Sequence, residues 1–465
     1  MSQSGPGGAQ RYDSGMSPAP RRSTRARAIA LTLFAAVGAL SAGCAAPAVP
    51  TTGAGLAVVN VPADAPTLGA ALKAVAPGGM ILVGPGVYPE QLIVNKRDVT
   101  VRGVDRNRTI IDGDGVRPYG IVAVVDGVRV ENLTVRNTTF FGVLVTGLSD
   151  SNGPSAHAAE GYEPFDPAKY PPVQRFAINY VTAYNNGLYG IYAFDSRHGQ
   201  ITHSYASGSA DSGFYVGQCP DCDILVSDNV AERNAVGFEN ANASTSLSII
   251  HNRFSNNRVG LTLISNYQEA FTPQHANLVA GNVLNDNMSA DSPEQETGGF
   301  GVGLGISGGL NNTVTKNLIQ GNARAGVLLT NTEDLPAGGN QFLANAFAKN
   351  GVDVANVSAP RAPATSNCPA PGDVPAAITT LPLDLFASCA SGATSAQPAA
   401  DAATLPGPTA PPGISFLKVP TPLDQPQMPD VMVSPSALPT AITHPRAADV
   451  IVPAADLFLS LTRPS

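Results

Sequence analysis

Residues 190–217 read GIYAFDSRHGQITHSYASGSADSGFYVG, in which a glycine twice opens a short alternating apolar stretch, at Gly190 (GIYAF) and at Gly213 (GFYVG). The same device returns at Gly120 (GIVAV), Gly142 (GVLVT), Gly237 (GFENA), Gly260 (GLTLI), Gly301 (GVGLG), Gly326 (GVLLT) and Gly351 (GVDVA). Most neighbouring glycines lie about 22 to 25 residues apart, with insertions near 148–173 and 266–298. An asparagine keeps step with the glycines, at Asn132, Asn179, Asn229, Asn252, Asn282, Asn317 and Asn345. Short strands of period two, punctuated at fixed offsets, cannot bury an apolar face alone but can by stacking. The periodicity therefore predicts a β-solenoid. Each asparagine is expected to close a corner, its backbone left-handed and its amide hydrogen-bonding along the stack.

The solenoid needs a lid at its first rung, and PTLGAALKAVAPGG (66–79) supplies one. Leu68, Leu72 and Val75 share a helical face, Thr67 is placed to cap the N-terminus, and Gly78 and Gly79 stop the helix. MILVGPGVYPEQLIV (80–94), DVTVRGV (98–104) and TIIDGDG (109–115) then read as strands and turns. GPGVYPE (84–90) and VRGVDRNRTIIDGDG (101–115), with the rungs to about residue 355, resemble the right-handed parallel β-helix proteins of the pectin-lyase-like superfamily. The resemblance implies an all-β, single-stranded right-handed parallel β-helix over 61–357, with an N-terminal capping helix. It does not single out an activity, because the superfamily holds polysaccharide lyases, hydrolases, esterases and epimerases beside non-enzymatic members such as the NosD-type proteins of copper-site maturation. The QDTL and DFIFG motifs of pectin methylesterases and the DPHD motif of mannuronan epimerases are absent. Residues 358–465 form a Pro/Ala-rich tail, expected to be partly docked or disordered; LPLDLF (381–386), ISFLKV (414–419) and AADLFLSL (454–461) are apolar patches suited to docking along the coil, and the alternative is an unstructured wall-spanning tether.

Charged residues make up 13% of the 465-residue chain and the formal charge is −8. A nucleic-acid partner is excluded, since no basic stripe follows the N-terminal arginines. Those arginines precede an apolar run from Ala28 to Ala42, shorter than the roughly 20 residues of a membrane span, and then Gly43 and Cys44. That order is an export signal over residues 1–43, and LSAGC (40–44) resembles a bacterial lipobox. The resemblance implies a lipid on Cys44, a linker to residue 60 and a membrane anchor on an exported, cell-envelope protein. The four remaining cysteines pair most simply as Cys219 with Cys222 and Cys368 with Cys389.

In each tetrad the first and third residues are apolar and point inward, so the second and fifth face outward. Tyr192, Tyr215 and Glu239 then form one column and Asp195, Gln218 and Asn242 another, an expected surface ledge suited to stacking on and hydrogen-bonding sugar rings. Asn240 points inward and is expected to hydrogen-bond within the coil. The insertion at 148–173 brings His157, Glu160, Tyr162, Glu163, Asp166 and Tyr170 beside the ledge as a wall. Asp195 and Glu239 are the candidate acid pair, with Arg197 or His198 as base or stabiliser, and Tyr192, Tyr215, Gln218 and Asn242 as substrate contacts. The ledge has too few carboxylates for a convincing calcium site. His203, Asp228 and His251 on successive corners raise copper or zinc, against which stands a simple solvated Asp–His pair. The expected partner is an envelope or extracellular polysaccharide; the alternative is a non-enzymatic envelope scaffold, including metal delivery.

Overall fold

The computed structural model describes residues 55–464 apart from 152, 155–164, 296–297, 332, 370–377 and 392–394. The leader, Cys44 and, in the first insertion, His157, Glu160, Tyr162 and Glu163 lie outside the described residues.

The chain coils as a right-handed parallel β-helix of three sheets. Sheet A has 12 strands, from Leu56–Val61 to Cys368–Pro369; sheet B has 10, from Gly86–Tyr88 to Ala346–Ala348; sheet C has 11, from Leu92–Val94 to Thr380–Leu381. The repeat glycines open the strands of sheet C, where Ile191, Phe214, Phe238 and Leu261 stand over one another. All four are fully buried, each contributing about 1.5–3 kcal/mol of apolar burial. The glycine column is steric in origin. A Cβ on Gly213 would lie 2.8 Å from Asn234 Nδ2 and 2.9 Å from the Gly237 carbonyl of the next rung. Two repeat glycines shift in register: Leu261 pairs with Leu304 and Val327 with Val354, so Gly303 and Asp353, not Gly301 and Gly351, take the repeat position.

The single α-helix among the described residues, α1 (Leu68–Ala74), covers the first rung with Leu68, Ala71 and Leu72 buried. Thr67 caps it, accepting from Ala70 N–H at 3.0 Å. The helix ends before Gly78, because the backbone turns extended at Val75 and joins sheet A, while Lys96 Nζ donates to the Lys73 and Val75 carbonyls.

At the corner from sheet A to sheet B, Asn229, Asn252, Asn282, Asn317 and Asn345 form a ladder. The Asn252 Oδ1 accepts from both the backbone N–H and the Nδ2 of Asn229 at 3.0 Å, and each rung repeats the pattern. The left-handed residue is the one before each ladder position, not the ladder asparagine: Asp228, His251, Gly281, Lys316 and Ala344 all have positive φ. Asn132 belongs to that left-handed column, and Asn179 stands two residues before the ladder position held by Val181. Two further ladders close the other corners. Asn234, Asn257, Asn287, Asn322 and Asn350 stack between sheets B and C, and Asn277, Asn312, Asn340 and Asn367 between sheets C and A.

Beyond residue 357, Cys368–Pro369 and Thr380–Leu381 extend sheets A and C, and fully buried Leu385 joins the core. Both disulfides, Cys219–Cys222 and Cys368–Cys389, are formed. The rest of the tail, irregular apart from short 3-10 turns, lies across sheets A and B and their corners. A proline-rich extended backbone has no internal hydrogen bonds, so its carbonyls are open to other donors. Arg102 takes the Val431 and Val433 carbonyls, Arg258 that of Pro411, Lys316 that of Val450 and Arg253 those of Ala455 and Leu457, at 2.6–3.0 Å.

Candidate functional site

Sheet C carries both expected columns on its outer face, in register: Leu144, Tyr192, Tyr215, Glu239 and Thr262 in one, and Asp195, Gln218 and Asn242, all with positive φ, at the strand ends. The direction follows from strand alternation, but the exposure does not. Tyr192, Tyr215, Asp195, Gln218 and Asn242 are at most 2% exposed and Glu239 is 7% exposed. The ledge is a covered one, because the second insertion folds down on it. Asn242 Nδ2 donates to the Asn266 and Glu269 carbonyls, both at 2.8 Å, and its Oδ1 accepts from Asn266 N–H. Gln218 Oε1 accepts from Ala270 N–H. Gln218 and Asn242, two of the four residues expected to contact substrate, thus hold the cover in place. From the first insertion, Phe165 packs edge-on against Phe271 of the cover, and Tyr170 joins the apolar cluster around Tyr192 and Tyr215. Asp166 only caps its own exposed turn. Asn240 behaves as expected, exchanging hydrogen bonds with the Ala243 backbone inside the coil.

Under the cover lies a carboxylate pair that involves only one of the expected acids. Glu239 finds its partner in Asp211, and Asp195 sits two rungs away, about 9.6 Å along the stack. Ser212 Oγ donates to Glu239 Oε2 at 2.5 Å and lies 3.1 Å from Asp211 Oδ1. Gln295 Nε2 reaches both carboxylates, at 2.7 Å to Asp211 and 3.4 Å to Glu239. Burial, together with the Asp211 charge, raises the Glu239 carboxyl well above its usual range, and burial raises Asp211 too. Two like charges sharing donors in a desolvated site oppose each other's ionisation. Three tyrosines wall it: Tyr189, Tyr192 and Tyr215, with ring centroids 4.5–4.8 Å apart. Tyr215 OH donates to Glu269 of the cover.

Asp211, Ser212, Glu269, Tyr189 and Gln295 escaped the reading by repeats. Ser212 had a signal: the position before the repeat glycine is Val236 and Val259 on the next two rungs, and Ser212 breaks that apolar column. Arg197 and His198 leave the site. They open a strand of sheet A around the corner, where Arg197 binds Asp221, and Asp223 holds both His198 and His444 of the tail. In the corner column His203 stacks on Tyr180 at 4.7 Å, while His251 Nδ1 pairs with Asp228 at 2.6 Å. All three are left-handed corner residues, His203 and His251 exposed and Asp228 half-buried, and no group of three or more ligating side chains among the described residues could hold a metal.

Burial pushes the Glu269 carboxyl up to about 8 and that of Asp195 up to about 7. Each has a buried oxygen without a partner, Glu269 Oε2 and Asp195 Oδ2. A carboxyl raised in the folded state stabilises that state fully below its unfolded value, near 4, and loses the contribution as pH rises through the folded value. The contribution of the Glu269 carboxyl to holding the cover is therefore greatest in acid and falls away as pH rises through about 8. Limited proteolysis of 266–295 is expected to run at least about tenfold faster at about pH 9 than at about pH 5, and Glu269→Gln to flatten much of that dependence. An unchanged cleavage rate would show that the buried carboxyls do not govern the cover.

A family model described as right handed beta helix region matches residues 172–347. No curated protein matches the chain. Among solved structures, the A-module of a mannuronan C-5 epimerase of Azotobacter vinelandii is 15% identical, covering 65% of this chain and 81% of its own, with a TM-score of 0.39. A pectate lyase is 14% identical over 67% of this chain and 71% of its own, TM-score 0.37. The DFA-IIIase of Arthrobacter chlorophenolicus is 15% identical over 64% and 82%, TM-score 0.36.

Proposed function

We propose that this chain cleaves glycosidic bonds in a polysaccharide, using the Asp211–Glu239 pair beneath the 266–295 cover. The carrying observation is that pair: two carboxylates bridged by Ser212 Oγ and Gln295 Nε2 beside a three-tyrosine wall. Hydrolysis of a glycosidic bond needs one carboxyl protonated to release the leaving oxygen and one ionised to activate the attacking group; because Asp211 and Glu239 touch each other in the covered state, substrate entry has to part them to the roughly 5–9.5 Å that this chemistry uses. Glu239, more deeply buried and raised by its neighbour's charge, is the acid, and Asp211 is the ionised partner. The tyrosine rings offer apolar faces to a sugar, and the cover moves aside to admit it. We further propose that the chain works outside the cytoplasm, held to a membrane by a lipid on Cys44. Two disulfides support an oxidising compartment.

The test is a panel of neutral and acidic polysaccharides incubated with the full-length protein, with products read for new reducing ends and for unsaturated ends. Reducing ends without unsaturation are expected on one glycan class. Unsaturated products would replace hydrolysis by elimination, and no binding or turnover on any glycan would leave the pair a packing device in an envelope scaffold.

A further inference from the structure

Where the end of the tail crosses sheet B, it does not seal onto the strands. A cavity of about 900 Å³ remains between Arg253, Asn285 and Gln320 on successive rungs and the tail segment from Ala455 to Pro464. That volume lies within the range of small-molecule sites, roughly 300–1,000 Å³. Its floor is sheet B, so it is separate from the carboxylate pair on sheet C.

The lining carries charge of both signs. Arg233, Arg253 and Arg463 face it together with Asp286, Asp291 and Asp456. Arg253 feels the charges of Asp286 and Asp456, yet among the described residues none of the three arginines forms an ion pair with any of the three aspartates. The guanidiniums are positioned by other groups: Arg233 by Glu232 and the Pro464 carbonyl, Arg253 by Ala455 and Leu457, Arg463 by the Thr421 carbonyl. Both signs occur on the coil and on the tail, close enough for Arg253 to feel Asp286 and Asp456 without a salt-bridge contact. Two buried polar atoms of the floor also lack partners, the Nε donor of Arg253 and the Oδ1 acceptor of Asn285, in residues only 2% and 4% exposed.

A neutral ligand would desolvate six charges without answering them, and a purely anionic one would meet three carboxylates. A ligand with one charge of each sign answers both sets. Peptide groups would meet the unpartnered donor and acceptor, and Met288 and Leu459 give a small apolar side chain a surface. We propose that this cavity is a binding site for a short peptide with free amino and carboxylate ends. Arg253 and Arg463 take its carboxylate, Asp286 and Asp456 its ammonium group, and Asn285 an amide N–H.

Calorimetric titration of the full-length protein with trialanine tests this. Saturable one-to-one binding is expected, weakened at least about tenfold by acetylating the amino end and, separately, by amidating the carboxyl end. Asn285→Ala and Arg253→Lys should each weaken trialanine about tenfold. Asn285 makes no bond to the tail, so its substitution at an unchanged melting temperature keeps the test clear if Arg253→Lys loosens the tail. No trialanine binding, equal binding of the blocked peptides, or binding untouched by both substitutions would overturn the proposal. Glycan turnover is measured separately, so either reading can fall while the other stands.

Discussion

Asn252→Ala is expected to lower the free energy of unfolding by about 4 kcal/mol, among the largest losses a single substitution produces. Asn252 is fully buried at the corner between sheets A and B. Its Oδ1 accepts from both the N–H and the Nδ2 of Asn229, and its Nδ2 donates to the Val226 and Ile250 carbonyls and to Asn282 Oδ1. Alanine removes all of these bonds at once and leaves the Asn229 backbone N–H, itself buried, with neither protein partner nor water. A buried donor left alone costs about 1–3 kcal/mol, and the other lost bonds about 1 kcal/mol each, partly offset because the carbonyls keep other partners. The comparison is Asn95→Ala on an exposed turn, expected to stay within about 0.5 kcal/mol. Urea or thermal denaturation of both variants reads the difference. A loss below about 1 kcal/mol for Asn252→Ala would show that the ladder is not a principal source of corner stability.

The coil itself was legible because its forces are local and repeated. Glycine stood where a Cβ would strike the next rung, alternating apolar residues stood where strands face inward, and asparagine stood where a corner needs an amide. The left-handed position fell one residue away from the asparagine because Asp228, His251 and Lys316 look like ordinary polar residues and only the backbone marks them. The site was half legible for a different reason. Alternation fixes the direction in which Tyr192, Tyr215 and Glu239 point, but not what lies above them. An outward face containing Tyr192, Phe194 and Tyr215 was itself a sign of a covering segment, since a large apolar surface left in water is unfavourable. The cover comes from an insertion with no repeat, so Glu269 and Gln295 had no column to betray them. Asp211 lies outside the five-residue unit on which the rungs were aligned.

Glu239→Gln is expected to reduce polysaccharide turnover by about a thousandfold while leaving the fold intact. Glutamine keeps the size of the side chain and resembles the protonated form that burial and the Asp211 charge favour at Glu239. Ser212 Oγ can still donate to its carbonyl oxygen, so the melting temperature should hardly move. What glutamine cannot do is transfer a proton to the leaving sugar oxygen. Two readouts separate this from a structural effect. On a substrate whose leaving group needs no proton, such as an activated aryl glycoside of the same sugar, the Glu239→Gln defect should largely vanish, whereas Asp211→Asn should stay impaired on both substrates. The pH profile should also lose its alkaline limb, which reports loss of the acid's proton as pH rises through the raised value of the pair. Full turnover in Glu239→Gln would remove it as the acid. An equal defect on both substrates would mean that Glu239 only positions Asp211 through Ser212 and Gln295.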